Sequence, residues 1–119
     1  MRWTINSHEK AWTLDCLATS LRAAIVDSRE FSDPGSVIRD EHRRFIDFSF
    51  RDRAATIYVV GDAVNDSSQT IEVSSALHVP ILDYVFRFRS IRQCLSAFDD
   101  AIAELLARLD LIQDNPENG

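Results

Sequence analysis

Apolar residues recur at helical spacing near both ends of this chain and alternate one by one through its middle. Ala11, Leu14, Leu17, Ala18, Leu21, Ala24 and Ile25 step by three and four residues, the mark of an amphipathic helix. This spacing predicts a first helix over about 8–27. Asn6-Ser7-His8-Glu9 precedes it as a capping-box pattern, with Asn6 as the cap and Glu9 reaching back. Lys10, Asp15, Thr19 and Arg22 form the polar face, and Trp12 lies at the edge of the apolar stripe. Near the other end, Leu95, Phe98, Ile102, Leu105, Leu109 and Ile112 keep the same step. They predict a second helix over about 91–113, with Ser90 as its cap and Gln93 completing the box.

Between the helices the period falls to two. Ile46, Phe48 and Phe50 alternate with Asp47 and Ser49, as expected of a strand buried on one face. A polar turn at 51–54 leads to a β-branched and aromatic run over 55–60, and the short link makes the two a hairpin. Ile71, Val73 and Leu77 oppose Thr70, Glu72 and Ser74 in a third strand. Pro80 breaks the pattern because it lacks an N–H. Residues 84–89 then read as a fourth strand, with Tyr84, Phe86 and Phe88 facing inward and Arg87 and Arg89 outward. Asp33-Pro34-Gly35 marks a turn before the sheet, with Gly35 accepting positive φ, and Gly61-Asp62 with 65–68 marks another.

The resulting order is α-β-β-β-β-α. It predicts an α+β two-layer sandwich: a four-stranded antiparallel sheet with the N- and C-terminal helices on one face. Residues 1–113 make a single domain, and 114–119 make a flexible polar tail.

Composition agrees with this picture. The chain has 119 residues, 45% apolar and 27% charged, enough to bury a core without metal or disulfides. No apolar run approaches the roughly 20 residues a bilayer requires, and the N-terminus lacks a signal peptide's apolar region. A cytoplasmic protein is expected. Cys16 and Cys94 read as small buried hydrophobes with no assigned redox role. Of 13 cations, 12 are Arg, which points to a GC-rich genome, bacterial or phage.

Charge is uneven. Residues 1–89 carry 11 Lys and Arg against 13 Asp and Glu, a net of −2, while residues 90–119 carry 2 against 6, a net of −4. This balance argues against a general nucleic-acid binder.

Candidate chemistry is sparse. His8, His42 and His78 lack metal-ligand spacing, and Asp40-Glu41-His42 reads as a solvated turn. No metal or cofactor is expected. The sequence has no Gly-x-Ser-x-Gly elbow, and its three glycines are scattered, so no phosphate loop is present. The Asp99-Asp100 pair reads as favouring the helix dipole near a helix start. No catalytic residue is assigned, although an enzyme built from scattered residues leaves no local pattern.

Surfaces offer more. Arg39, Arg43, Arg44, Arg51 and Arg53 are diluted by Asp40, Glu41, Asp47 and Asp52, whereas Arg87, Arg89 and Arg92 come with no acid from Tyr84 to Ser90. In the predicted register Arg87 and Arg89 share the open sheet face with Phe45, Tyr58 and Val60. Helix 2 shows an acidic back of Asp99, Asp100, Glu104 and Asp110 against Arg108. The leading expectation is a non-enzymatic module that occupies a partner protein's surface. It would act through Tyr58, Arg87, Arg89 and Arg92, or through Asp99, Asp100 and Glu104 toward a basic partner. Small acidic proteins of this build occur among secretion chaperones, immunity proteins and phage inhibitors, a likeness that carries no residue across. The alternatives are a small nucleic-acid binder using Arg87, Arg89, Arg92 and Tyr58, and an enzyme of unrecognised type. A homodimer through the open sheet face or helix 2 is compatible with all three.

Overall fold

A computed structural model describes residues 2–6, 12–61 and 70–111. The chain begins with a strand, β1 (Arg2–Asn6), in which Trp3 and Ile5 alternate with Arg2 and Thr4. The helix expected from residue 8 is α1 (Leu14–Asp27). Its cap is Thr13, whose hydroxyl accepts the Cys16 N–H at 3.1 Å. Asn6 is the last residue of β1, well before the start of α1; Glu9 and positions 8–11 of the expected helix lie outside the described residues. Leu14, Leu17, Ala18, Leu21 and Ile25 are the buried stripe of α1, as the spacing required.

Five further strands follow: β2 (Phe31–Ser32), β3 (Ile38–Asp40), β4 (Arg43–Phe50), β5 (Arg53–Gly61) and β6 (Thr70–Leu77). All pair antiparallel in the order β1-β6-β5-β4-β2, with β3 also on β4. The architecture is therefore α+β, but the sheet has six strands rather than four. The turn expected at 62–68 and the tail at 114–119 lie outside the described residues.

The expected fourth strand at 84–89 is not formed. Its place beside β6 is taken by β1, which pairs Trp3 with Val73 and Ile5 with Ile71. With no free edge there, the chain beyond Pro80 turns into a short helix, α2 (Ile81–Phe86). The long helix α3 (Phe88–Arg108) follows. It starts before the predicted residue 91, with Arg87 rather than Ser90 at its cap position. The Ser90 hydroxyl instead donates to the Arg87 carbonyl at 3.1 Å.

One sheet face is the core. Ile46, Phe48 and Phe50 of β4 lie beside Ile57, Ala55 and Val59 of β5, then Ile71 and Val73 of β6, all nearly inaccessible. The buried stripes of α1 and of α3 (Phe98, Ile102, Leu105, Leu106) complete the same cluster. Both helices thus cover one face, because each has one apolar stripe and the sheet offers one apolar side. The packing centre is aromatic: Phe98 lies 5.3 Å from Phe50, 6.3 Å from Phe48 and 6.4 Å from Phe31. Cys94 is half-buried against this cluster, but Cys16 is exposed because it faces away from the α1 stripe; both are free.

Tight turns carry the positive φ values. Asp33 (53°) takes the role expected of Gly35, and Arg51 (50°) and Asp52 (64°) make the two-residue β4–β5 turn. Two positive φ values in such a turn match a right-twisted hairpin. No helix among the described residues is long and apolar enough to cross a membrane.

One ion cluster ties α1 to the sheet. The register sets Arg39 of β3 opposite Arg44 of β4, and like charges so placed repel. Asp15 of α1 answers both: its Oδ1 accepts from Arg44 Nε at 2.8 Å and from Arg39 Nε at 3.0 Å. Arg44 is only 5% exposed and also donates to the carbonyls of Glu41 and Arg43. The Arg44 hydrogen bond, opposed by burial and aided by the two guanidinium charges, holds the Asp15 carboxyl below its ordinary value.

Two outcomes follow. Asp15→Asn is expected to cost roughly 1 kcal/mol near neutral pH, the half-exposed carboxylate being partly screened by water. Because the folded pKa is depressed, that contribution is complete above the unfolded value of about 3.9 and disappears as pH falls through the folded one. Urea unfolding of both proteins across pH checks this by a gap that closes only below about pH 4. Separately, Asp52→Gly relieves a left-handed backbone conformation and is expected to raise stability by about 0.5–1 kcal/mol in chemical denaturation.

Candidate functional site

The sheet face turned away from the helices carries Tyr58, Phe45 and Val60, as the alternation predicted. Phe45 and Tyr58 are cross-strand partners with ring centroids 5.9 Å apart, and Ile38 of β3 lies opposite Phe45. The Arg87 and Arg89 expected beside them are absent, since their segment is helical. The cation on this face is Arg43, 5.7 Å above the Phe45 ring and paired with Asp40. At the other side Arg2 pairs with Glu72 at 3.1 Å. The arginines on this face are neutralised locally.

The arrangement on this face most like a catalytic one is Asp47, Thr56 and His78. The Thr56 hydroxyl donates to Asp47 Oδ1 at 2.8 Å, and His78 Nε2 lies 2.9 Å from the Thr56 Oγ1. With its proton on the carboxylate side, Thr56 accepts from His78. A nucleophile needs the reverse, a base that takes its proton, and Thr56 is 3% exposed. The trio pins the β6 exit to β4 and β5. A shallow groove between α1 and α3, lined by Ser20, Ala23, Ala24, Asp27, Arg108 and Leu109, contains no histidine. Among the described residues no three His, Cys, Asp or Glu side chains gather as a metal site.

The distinctive surface lies on α2 and the start of α3. Pro80 opens α2 with an extended ψ of 143° and no side-chain cap. Asp83 alone on this helix points back to the sheet, 3.3 Å from Arg53 of β5. Arg87 (φ −127°, ψ 38°) is the joint between the helices, and its N–H still donates to the Asp83 carbonyl at 2.8 Å. Helical spacing around Asp83 turns the apolar residues to solvent. Ile81 is 79% exposed, Leu82 69%, Val85 64% and Phe86 80%. Tyr84 and Phe88 flank them, edge to face at 5.7 Å, and Arg92 lies 5.6 Å over the Phe88 ring. Neither Arg87 nor Arg89 meets a carboxylate among the described residues.

Comparison brings in nothing further. No protein-family model, curated protein or solved structure matches the chain. Function must therefore be read from this geometry.

The structure regroups the sequence-predicted residues. Arg87, Arg89 and Arg92 stay together, but around exposed apolar side chains rather than beside Tyr58. Asp99, Asp100 and Glu104 lie in the middle of α3 rather than near its start, so a helix-dipole role does not apply to them. Glu104 pairs with Arg108 at 3.3 Å. Tyr84, Phe86 and Phe88, expected to face inward from a strand, are instead exposed on the helices, together with Ile81, Leu82 and Val85. The available signal was an apolar run interrupted by one acid, Asp83, which fits a helix with one tethered face as well as a strand.

If Asp83 is the tether, Asp83→Ala is expected to speed amide exchange over 81–86 while lowering global stability by less than about 1 kcal/mol, as for an exposed ion pair. Hydrogen exchange with mass spectrometry checks both.

Proposed function

We propose that this chain is a non-enzymatic protein-binding module that works by occupying a partner protein's surface, with the α2–α3 platform as its contact. The observation that carries this reading is exposure: six large apolar residues between Ile81 and Phe88 are 39–80% accessible. With large side chains presenting roughly 150–250 Å² each, that is on the order of 700 Å² of mainly apolar surface. Monomers rarely leave more than a few hundred Å² bare in one patch, and larger patches mark interaction sites. An aromatic and aliphatic centre with an arginine rim is also the composition of protein contact surfaces. An immunity, inhibitor or secretion-chaperone role in the cytoplasm fits such a module.

Nucleic-acid binding is the second reading, favoured by Phe86 and Phe88 exposed beside Arg87, Arg89 and Arg92. Bases stack on such rings while guanidiniums meet phosphates. The chain's net charge of −6 weighs against it.

An affinity capture from the native host, with wild type and Leu82→Glu/Phe86→Glu side by side, tests the protein reading. A partner held by wild type and lost by the double variant, with circular dichroism unchanged, is the expected result. Undiminished capture by the variant would remove the platform as the contact. A low-salt fluorescence titration with single-stranded and duplex oligonucleotides separates the readings. Saturable binding that Arg87→Ala/Arg89→Ala abolishes would favour nucleic acid.

A further inference from the structure

We infer that the protein seated on this platform is a second copy of the chain, related by a twofold axis crossing α3 near Ser96. The inference rests on the platform being a protein contact and adds the identity of the occupant.

Two observations carry it. The first is charge order along the outer side of α3. Its buried positions are Ile91, Phe98, Ile102, Leu105 and Leu106. The opposite side therefore presents, in sequence, Arg89, Arg92, Ser96, Asp100, Ala103 and Ala107. This strip is cationic at its start and anionic in its middle, and Glu104 adds to the anionic part. A parallel copy would set like charge on like. An antiparallel copy sets unlike charges together. Arg92 and Asp100 each lie four residues from Ser96, so a twofold axis there brings Arg92 of each copy to Asp100 of the other. The same operation carries each copy's Phe88 toward position 104 of the other and its α2 toward 106–111, beside the half-buried Ala103 and Ala107, whose side chains are small. Such a contact is isologous and closes at two copies.

The second observation is area. The exposed apolar surface, on the order of 700 Å², matches the roughly 800 Å² per partner that a stable dimer buries. A chain of net charge −6 repels its own copies over most of its surface. Arg87 and Arg89, which meet no carboxylate among the described residues, and the ring-stacked Arg92 make this edge the place where that repulsion turns to attraction.

Sedimentation equilibrium of the full chain from about 1 to 100 μM, the range in which a micromolar dimer dissociates, reads the result. Mass is expected to rise from one copy's 13.5 kDa toward twice that value, less so at high salt. Phe86→Asp is expected to raise the dissociation constant about 30-fold or more, as for a large aromatic side chain covered by the partner. Arg92→Glu weakens the dimer, and Arg92→Glu/Asp100→Arg restores it. Circular dichroism identifies any variant that fails to fold, and the restored double variant keeps the test decisive in that case.

A wild type that stays at single-copy mass throughout overturns the inference. So does a dimer that Phe86→Asp leaves intact, or a charge-exchanged variant that does not recover. A monomeric wild type whose host partner is still lost with Leu82→Glu/Phe86→Glu would defeat the second copy and leave the platform reading standing.

Discussion

Phe98 sits where the two layers meet, and the rest of the molecule is arranged by that contact. Its ring packs on Phe31, Phe48 and Phe50, which come from β2 and β4, while Ile102 and Leu105 extend the same stripe over the sheet. Burial of each such side chain contributes about 1.5–3 kcal/mol. α3 cannot rotate without giving up the whole set. Its outer side is therefore fixed, and with it the position of Arg89, Arg92, Ser96 and Asp100. The surface order of charge is a consequence of core packing.

The same economy of charge appears across the sheet. Arg44 is buried with a carboxylate and two carbonyls around its guanidinium, and Arg39, Arg43 and Arg53 each meet an acid within hydrogen-bond or ion-pair reach. A buried cation without such partners would be costly, and an exposed pair adds little. Arg22, Arg29 and Arg51 likewise meet no carboxylate among the described residues, so what sets Arg87 and Arg89 apart is their place. They lie at the edge of the patch where apolar side chains are also left in water. Two departures from the general pattern at one place point to a missing neighbour more strongly than either alone.

Much of the fold was legible because the governing signals are local. β4, β5 and β6 follow strict alternation, and their register places Ile46 on Ile57 and Val59 on Val73 with polar residues outward. The stripes of α1 and α3 were equally plain. What failed was competition between elements. Trp3-Thr4-Ile5 suits a strand, but the capping pattern at Asn6 competes with it, and a strand of five residues such as β1 is defined by its partner rather than by its own sequence. Once β1 takes the edge of β6, residues 84–89 cannot pair with the strand they follow. Their alternating Tyr84, Phe86 and Phe88 favour a strand locally, yet the available slot is gone. β2 and β3, at two and three residues, are too short to register as a period. Of the candidate site, the arginines and the acidic stretch were readable as charge, but their placement was not. Whether Arg87 lies on a sheet or a helix depends on which segment wins the edge.

That competition also explains the exposed platform. A strand at 84–89 would have buried alternate aromatics against α1 and α3. The helix that forms instead has only Asp83 turned to the body of the protein and sends Ile81, Leu82, Val85 and Phe86 into water. Side chains of this kind and number are stable in solution when another surface covers them. A single polar exchange at any of the four positions would cost the core nothing, since none contributes to it. A residue that the fold does not need, and that water disfavours, is accounted for by a contact outside the fold. The arrangement of the arginines and the acidic middle of α3 then narrows what that contact must look like: small and apolar where it meets α2, acidic where it meets Arg89 and Arg92, and basic where it meets Asp100. Another copy of α2 and α3, turned end for end, has this pattern.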